Sequence, residues 1–291
     1  MTLWKTKKKW EVPIWESQLK RAKEQLAKAN AVVIGAGSGL SAAAGLTYSG
    51  ERFQRLFPDF IQHYGMKDMY SAGFYPFQTQ EEKWAYWSRQ IYWNRYDIGA
   101  CDVYLDLLDL VKEKEYFVLT TNVDHQFQIA GFAESRIFAT QGDYGLFQCA
   151  KACHSMLYDN EKVVREMLQQ QNDCKIPAKL IPKCPVCGGD MEVHLRCDSN
   201  FVEDAAWYAA QERYRVFLEK HAGERILFWE LGVGMNTPVI IKYPFWHMTN
   251  QNPKAFYLCM NNGEAWAPRE LENRSLCMNL DIQWILKKWK R

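Results

Sequence analysis

The chain has 291 residues, room for about two domains at ~150 residues each. Its 48% apolar and 24% charged residues exclude a disordered or collagen-like chain. The 36 Lys/Arg against 34 Asp/Glu leave a net charge of +2, so nothing in the balance calls for nucleic acid, and no run reaches the ~20 strongly apolar residues of a membrane span.

The basic start (Lys5, Lys7, Lys8 and Lys9) reads as a solvated arm. It lacks the apolar segment and cleavage site of a signal peptide, so a cytoplasmic protein is expected. From Glu16 to Asn30, Leu19, Ala22, Leu26 and Ala29 recur at three- and four-residue steps and predict an amphipathic helix. Ala31-Val32-Val33-Ile34 predicts a buried parallel strand. It runs into Gly35-Ala36-Gly37-Ser38-Gly39-Leu40-Ser41 and a small-residue helix, the opening of a nucleotide-binding unit. Residues 49–99 read as an aromatic-rich helical insertion with Trp84, Trp87 and Trp93 in its core. A helix over Val103–Lys112 and strands over Tyr116–Thr121 and Ile137–Thr140 follow. After a cysteine-containing excursion at 143–203 come a helix over Ala205–His221 and strands over Arg225–Leu231, Val239–Ile241 and Ala255–Met260. Strands alternating with helices imply an α/β fold: a Rossmann-like parallel sheet with helices on both faces from 20–48, 100–142 and 204–291, plus a small zinc-ribbon and helical domain.

Four constellations could carry chemistry. The glycines of the first turn let backbone N–H groups approach a phosphate, with Gly35, Ala36, Gly37, Leu40 and Ser41 as candidate cofactor contacts. Leu40 departs from the usual third glycine of a dinucleotide fingerprint. Thr120-Thr121-Asn122-Val123-Asp124 puts polar groups at a strand's carboxyl end, where they either meet a ligand or cap the loop. Gly232-Val233-Gly234-Met235-Asn236 does the same at a later strand, making Gly232, Gly234 and Asn236 candidates. Cys149, Cys153, Cys184 and Cys187 have the spacing of a closed, structural Zn²⁺ site, with Cys174, Cys197 and His154 as competing ligands. Nine cysteines, four of them at ligand spacing, fit a reducing compartment better than a disulfide framework. His63, His125, His194, His221 and His247 show no metal spacing and read as surface or satisfied core residues.

In this order the segments resemble a sirtuin over roughly residues 20–260, one sirtuin-type unit across 1–291. Leu40 to Leu46 resembles I-S-x-x-S-G-I, Thr121 to Asp124 resembles Q-N-I-D, and Gln141-Gly142 stands at H-G. Leu195-Arg196-Cys197-Asp198 resembles L-R-P-D, and Gly232 to Pro238 resembles G-T-S-L-x-V-x-P. Thr47-Tyr48-Ser49-Gly50 replaces the acyl-lysine signature P-D-F-R, and Gln141 replaces the catalytic His. That pattern is similar to the macrodomain-linked, class M sirtuins. The resemblance implies NAD⁺-dependent mono-ADP-ribosyl transfer, with nicotinamide released, to a lipoylated carrier protein resembling the glycine-cleavage H protein. A partner macrodomain hydrolase would reverse the modification, in a system linked to oxidative stress.

On this reading Asn122, Gln141 and Arg196 are the catalytic candidates, and Asp124 joins Asn122 and Gln141 on the cofactor. Deacylation needs a base on the ribose; imidazole, with a pKa of about 6.5, serves at neutral pH. A Gln amide only donates and accepts hydrogen bonds. Arg196 either grips acceptor or cofactor or forms a salt bridge between the two parts of the fold. Weak lysine deacylation, free NAD⁺ hydrolysis and a non-catalytic NAD⁺ or ADP-ribose module are the alternatives.

Overall fold

The computed structural model describes residues 13–235 and 238–290; the lysines of the basic arm and Asn236 lie outside them. Among the described residues nine strands follow one another: β1 (Ala31–Ala36), β2 (Glu115–Thr120), β3 (Ile137–Ala139), β4 (Gly142–Cys149), β5 (Tyr158–Asp159), β6 (Met191–Leu195), β7 (Ile226–Leu231), β8 (Phe256–Met260) and β9 (Ser275–Met278). Six form one parallel sheet in the order β3-β2-β1-β7-β8-β9. Counted within the sheet this is 3-2-1-4-5-6, the doubly wound order, which reverses between β1 and β7.

Because consecutive strand residues face opposite ways, each strand feeds two cores. Val32 and Ile34 join Val118, Trp229 and Leu258 beneath α1 (Ile14–Lys28), then α2 (Ser38–Ala43) and further helices on that face. Ala31 and Val33 join Phe117, Phe228 and Tyr257 on the other. A second lobe interrupts the sheet twice. Its first insertion holds α3 (Glu51–Leu56), α4 (Pro58–Tyr64), α5 (Met69–Ala72), α6 (Gln80–Ile91) and a π-helical turn, Tyr92–Tyr96. The chain returns to the sheet's first face through α7 (Asp102–Val111) and α8 (Gln126–Ile129). The second insertion brings the antiparallel sheet β5-β4-β6 and α9 (Glu161–Gln170). Both insertions share one core, in which Phe57, Trp84 and Tyr86 from the first meet Phe147, Met167 and Met191 from the second. Trp84 and Trp87 are buried there, while Trp93 is only partly covered.

The last helices are α10 (Ala205–Lys220), α11 (Lys242–Gln251) and α12 (Ile282–Trp289). The strand expected over Val239–Ile241 is instead the turn into α11. Val239 is exposed, whereas Ile241 and Phe245, joined by the Phe245 N–H to Ile241 carbonyl bond at 2.9 Å, pack as one helical face over Gly35. A Cβ at Gly35 would lie 2.4 Å from Ile241 and 2.5 Å from Phe245, so this glycine admits α11 to the sheet. No helix among the described residues is long and apolar enough to cross a membrane.

Candidate active site

The carboxyl ends of β1, β2 and β7 converge at the point where the strand order reverses. There the two glycine turns interlock. A Cβ at Gly37 or Gly39 would lie 2.7 Å from Gly232 backbone, and one at Gly232, with φ at +64°, 2.3 Å from Leu40 N. The Gly37 N–H donates to Leu231 O at 3.0 Å and the Gly39 N–H to Gly232 O at 2.9 Å. These groups, expected to meet a phosphate, are spent joining the turns. Gly35, Ala36, Leu40 and Gly232 accordingly stand behind the site, while Gly37, Ser41 and Gly234 line a cleft of about 540 Å³. That volume lies within the range of small-molecule sites, ~300–1,000 Å³.

Asn122 and Asp124 follow β2 and line the same cleft. A directed hydrogen-bond chain orients them. Ser41 Oγ donates to Asp124 Oδ2, so Tyr104 Oη, 3.0 Å away, donates to Ser41, and Asn122 Nδ2 donates to Tyr104 at 3.2 Å. The Asn122 carbonyl oxygen is thereby left for the cleft. Burial pushes the Asp124 carboxyl up, against the Ser41 and Gln126 hydrogen bonds that lower it. Burial, reinforced by the Asp124 charge, raises Tyr104 so far that its hydroxyl stays protonated. Tyr104 was not singled out in the sequence because it sits in the apolar face of α7; the available signal was that a buried tyrosine needs a hydrogen-bond partner.

Gln141, between β3 and β4, lines the same cleft. Its backbone carbonyl accepts from the Arg196 backbone N–H at 3.0 Å, and the Thr140 N–H donates to Thr120 O at 2.9 Å. Gly142, with φ at +101°, leaves no room for a Cβ, which would lie 1.9 Å from His194 O. Arg196 reaches the cleft wall, but its guanidinium pairs with Glu203 at 2.6 Å and lies over Phe201 at 4.1 Å. It is an ion-paired strut between β6 and the segment before α10. Tyr48, Trp87, Gln90 and Tyr144 complete a neutral wall, with Tyr48 and Tyr144 hydroxyls 2.8 Å apart and Gln90 Nε2 3.0 Å from Tyr144. Among the described residues lining the cleft there is no histidine. His194 is buried but only half satisfied: Nε2 donates to Val202 O at 2.9 Å and Nδ1 has no partner.

Cys149, Cys153, Cys184 and Cys187 come together, their sulfurs within 4.8 Å of one another. Cys149–Cys187 and Cys153–Cys184 each measure 3.7 Å. Tetrahedral Zn–S bonds of ~2.3 Å require edges of ~3.8 Å, so the set fits Zn²⁺ and fills its coordination. Backbone N–H groups of Cys153 and Lys151 hold the Cys149 thiol down to about 6, and Cys187 and Val186 N–H groups lower Cys184. Of the competing ligands, Cys174 is buried elsewhere in the lobe core, Cys197 lines the cleft, and His154 bonds Tyr158 at 2.6 Å. Zinc here would tie the ends of β4 and β6 together, and it has no open position for catalysis.

No protein-family model matches the chain. A protein ADP-ribosyltransferase of Staphylococcus aureus is 40% identical over 260 residues, covering 89% of this chain and 82% of that protein. A probable bifunctional ADP-ribose hydrolase/ADP-ribosyltransferase of Fusarium oxysporum f. sp. cubense is 30% identical over 293 residues; the match takes 92% of this chain and 47% of that longer protein. Among solved structures, Sir2Tm bound to a propionylated peptide superposes with a TM-score of 0.59 at 16% identity, covering 93% of this chain and 96% of that one. A Sir2–p53 peptide–NAD⁺ complex gives 0.56 at 16% identity with the same coverage.

Proposed function

The chain belongs to the family of protein ADP-ribosyltransferases, built on the sirtuin fold, and from that premise we propose that it moves the ADP-ribosyl group of NAD⁺ onto a protein acceptor with release of nicotinamide. NAD⁺ supplies a ribose carbon, C1′, already bonded to a good leaving group. The C1′–N bond breaks and nicotinamide leaves with the electron pair. The acceptor nucleophile bonds C1′, and any proton it carries goes to solvent.

Asn122, its amide nitrogen held by Tyr104, and Asp124, fixed by Ser41, are the groups that would hold nicotinamide and its ribose. Holding the reacting groups in place can supply much of the rate without a base. The observation that carries the reading is Gln141: an amide on the cleft wall, with no imidazole among the described lining residues to take a ribose proton. Losing such a base costs ~10²–10⁴-fold in a reaction that needs one, which disfavours deacylation and leaves transfer to an activated acceptor.

A lipoylated carrier protein is the proposed acceptor, and a macrodomain hydrolase the proposed partner that removes the mark. The class M resemblance supports both. The Fusarium relative also supports the second, since its name joins an ADP-ribose hydrolase to an ADP-ribosyltransferase in one protein. The test is NAD⁺ labelled in its ADP-ribose part, incubated with lipoylated and unlipoylated carrier. Label moves to the lipoylated carrier with wild-type enzyme and not with Asn122→Ala. Equal labelling of both carriers removes lipoylation from the account; no labelling of either while acyl-lysine peptides are cleaved favours the deacylase.

A further inference from the structure

His125 follows Asp124 directly and has φ of +63°, a left-handed conformation uncommon outside Gly, which Asn, Asp and His adopt more readily than other residues. Such a backbone persists where its surroundings hold it. Here His125 Nδ1 bonds an Asp143 carboxylate oxygen on β4. The other oxygen of Asp143 accepts from Arg95 Nε at 3.0 Å and from the Gly145 N–H at 2.7 Å. A Cβ at Gly145 would lie 3.0 Å from Asp143 Oδ1 and 3.1 Å from Arg95 Nε, so glycine lets the bridge close. Beside it, the Tyr144 N–H donates to Val123 O at 3.0 Å.

Three separate segments meet at this bridge: the π-helical turn with Arg95, the loop after β2, and the start of β4 just beyond Gln141. Burial alone would raise the Asp143 carboxyl, but the His125 hydrogen bond and the His125 and Arg95 charges hold it below its ordinary value. The imidazole does not line the main cleft. It lines a pocket of about 10 Å³ behind Asn122 and Asp124.

We propose that His125 is a positioning residue for ADP-ribosyl transfer: through Asp143 and Arg95 it locks the Asn122–Asp124 loop at a fixed distance from the wall that carries Gln141. The role rests on the function proposed above, and it acts through neighbours, not by touching substrate. It also ties the cofactor loop to the helical insertion, so that a displacement of Arg95 reaches Asn122 through two side chains.

Two substitutions isolate the bridge. His125→Gly accepts the left-handed backbone and deletes the bond. His125→Asn also accepts it, and its Nδ2 hangs from Cγ as Nδ1 does in histidine, so the bond to Asp143 can reform. Turnover of NAD⁺, its dissociation constant and the thermal midpoint are measured on the full chain. Turnover should fall ~10–100-fold in His125→Gly, with NAD⁺ affinity within ~fivefold, and return to within ~threefold of wild type in His125→Asn. His125→Gly at the wild-type rate overturns the proposal. So does His125→Asn as slow as His125→Gly, which would assign chemistry to the imidazole itself. Wild-type protein that leaves NAD⁺ intact would bring down the proposed function and this inference together; unchanged variants of an active enzyme bring down this inference alone.

Discussion

Gln141 and Asp124 both line the cleft and differ in what pH can do to them. The amide does not titrate, so restoring a ring tests what it lacks. Gln141→His should raise acyl release from acyl-lysine peptides by ~10²-fold or more, measured by product release at pH 7.5. Asp124 does titrate, and its folded-state pKa is raised, with burial the largest cause. A raised carboxylate pKa means that ionisation costs stability above the folded pKa, and that the cost is relieved as pH falls through it. Asp124→Asn should therefore raise the thermal midpoint most near pH 7–8, with the advantage shrinking towards acid pH, while NAD⁺ cleavage falls. Greater stability with lower activity is the usual trade at a functional site. The side chains at strand ends were legible in sequence, because polar residues directly after an apolar strand stand out. The chain from Asn122 through Tyr104 and Ser41 to Asp124 was not. It joins positions 63 and 83 residues apart that only the fold brings together.

Among the elements, β1 with its glycine turn was legible as an apolar run and then small residues. What the glycines do was not, since the partner of Gly37 and Gly39 is Gly232 in the turn just past a distant strand. Gly232→Ala adds a Cβ 2.3 Å from Leu40 N at a φ of +64° and should cost ~2 kcal/mol or more. Gly234→Ala, whose Cβ among the described residues would meet Glu264 at 3.6 Å, an ordinary contact, should unfold within ~0.5 kcal/mol of wild type. Denaturant melts of the two separate interlock from ordinary glycine loss. The entrance to α11 misled the reading because Val239-Ile240-Ile241 is β-branched. Its fate is decided instead by a buried pair: Lys242 in α11 and Glu230 in β7, both fully enclosed, with Tyr257 donating to the same carboxylate at 2.7 Å. Lys242→Met leaves Glu230 buried without its cation and should cost ~3–5 kcal/mol in the same melts.

At the scale of the whole molecule, a parallel sheet and a lobe of helices and small strands meet along one cleft. The zinc ligands could be read from spacing because a closed thiolate site dictates ligand number and separation, whatever the rest of the chain does. The sharing of one core by two insertions could not, since it depends on packing between α6 and α9. Cys149 and Cys184 belong to that core, so metal removal should loosen the lobe that anchors Gln141 and Arg196. Metal analysis should find close to one zinc per chain, and a strong chelator should abolish NAD⁺ cleavage. The measurement that bears most directly on the whole account is a crystal structure with an uncleavable NAD⁺ analogue bound. In that complex the Gln141 amide should lie within ~3 Å of a hydroxyl on the nicotinamide ribose, with Asn122 on the same sugar and His125 still on Asp143. An amide turned away from the ribose, or an imidazole standing in its place there, would contradict it.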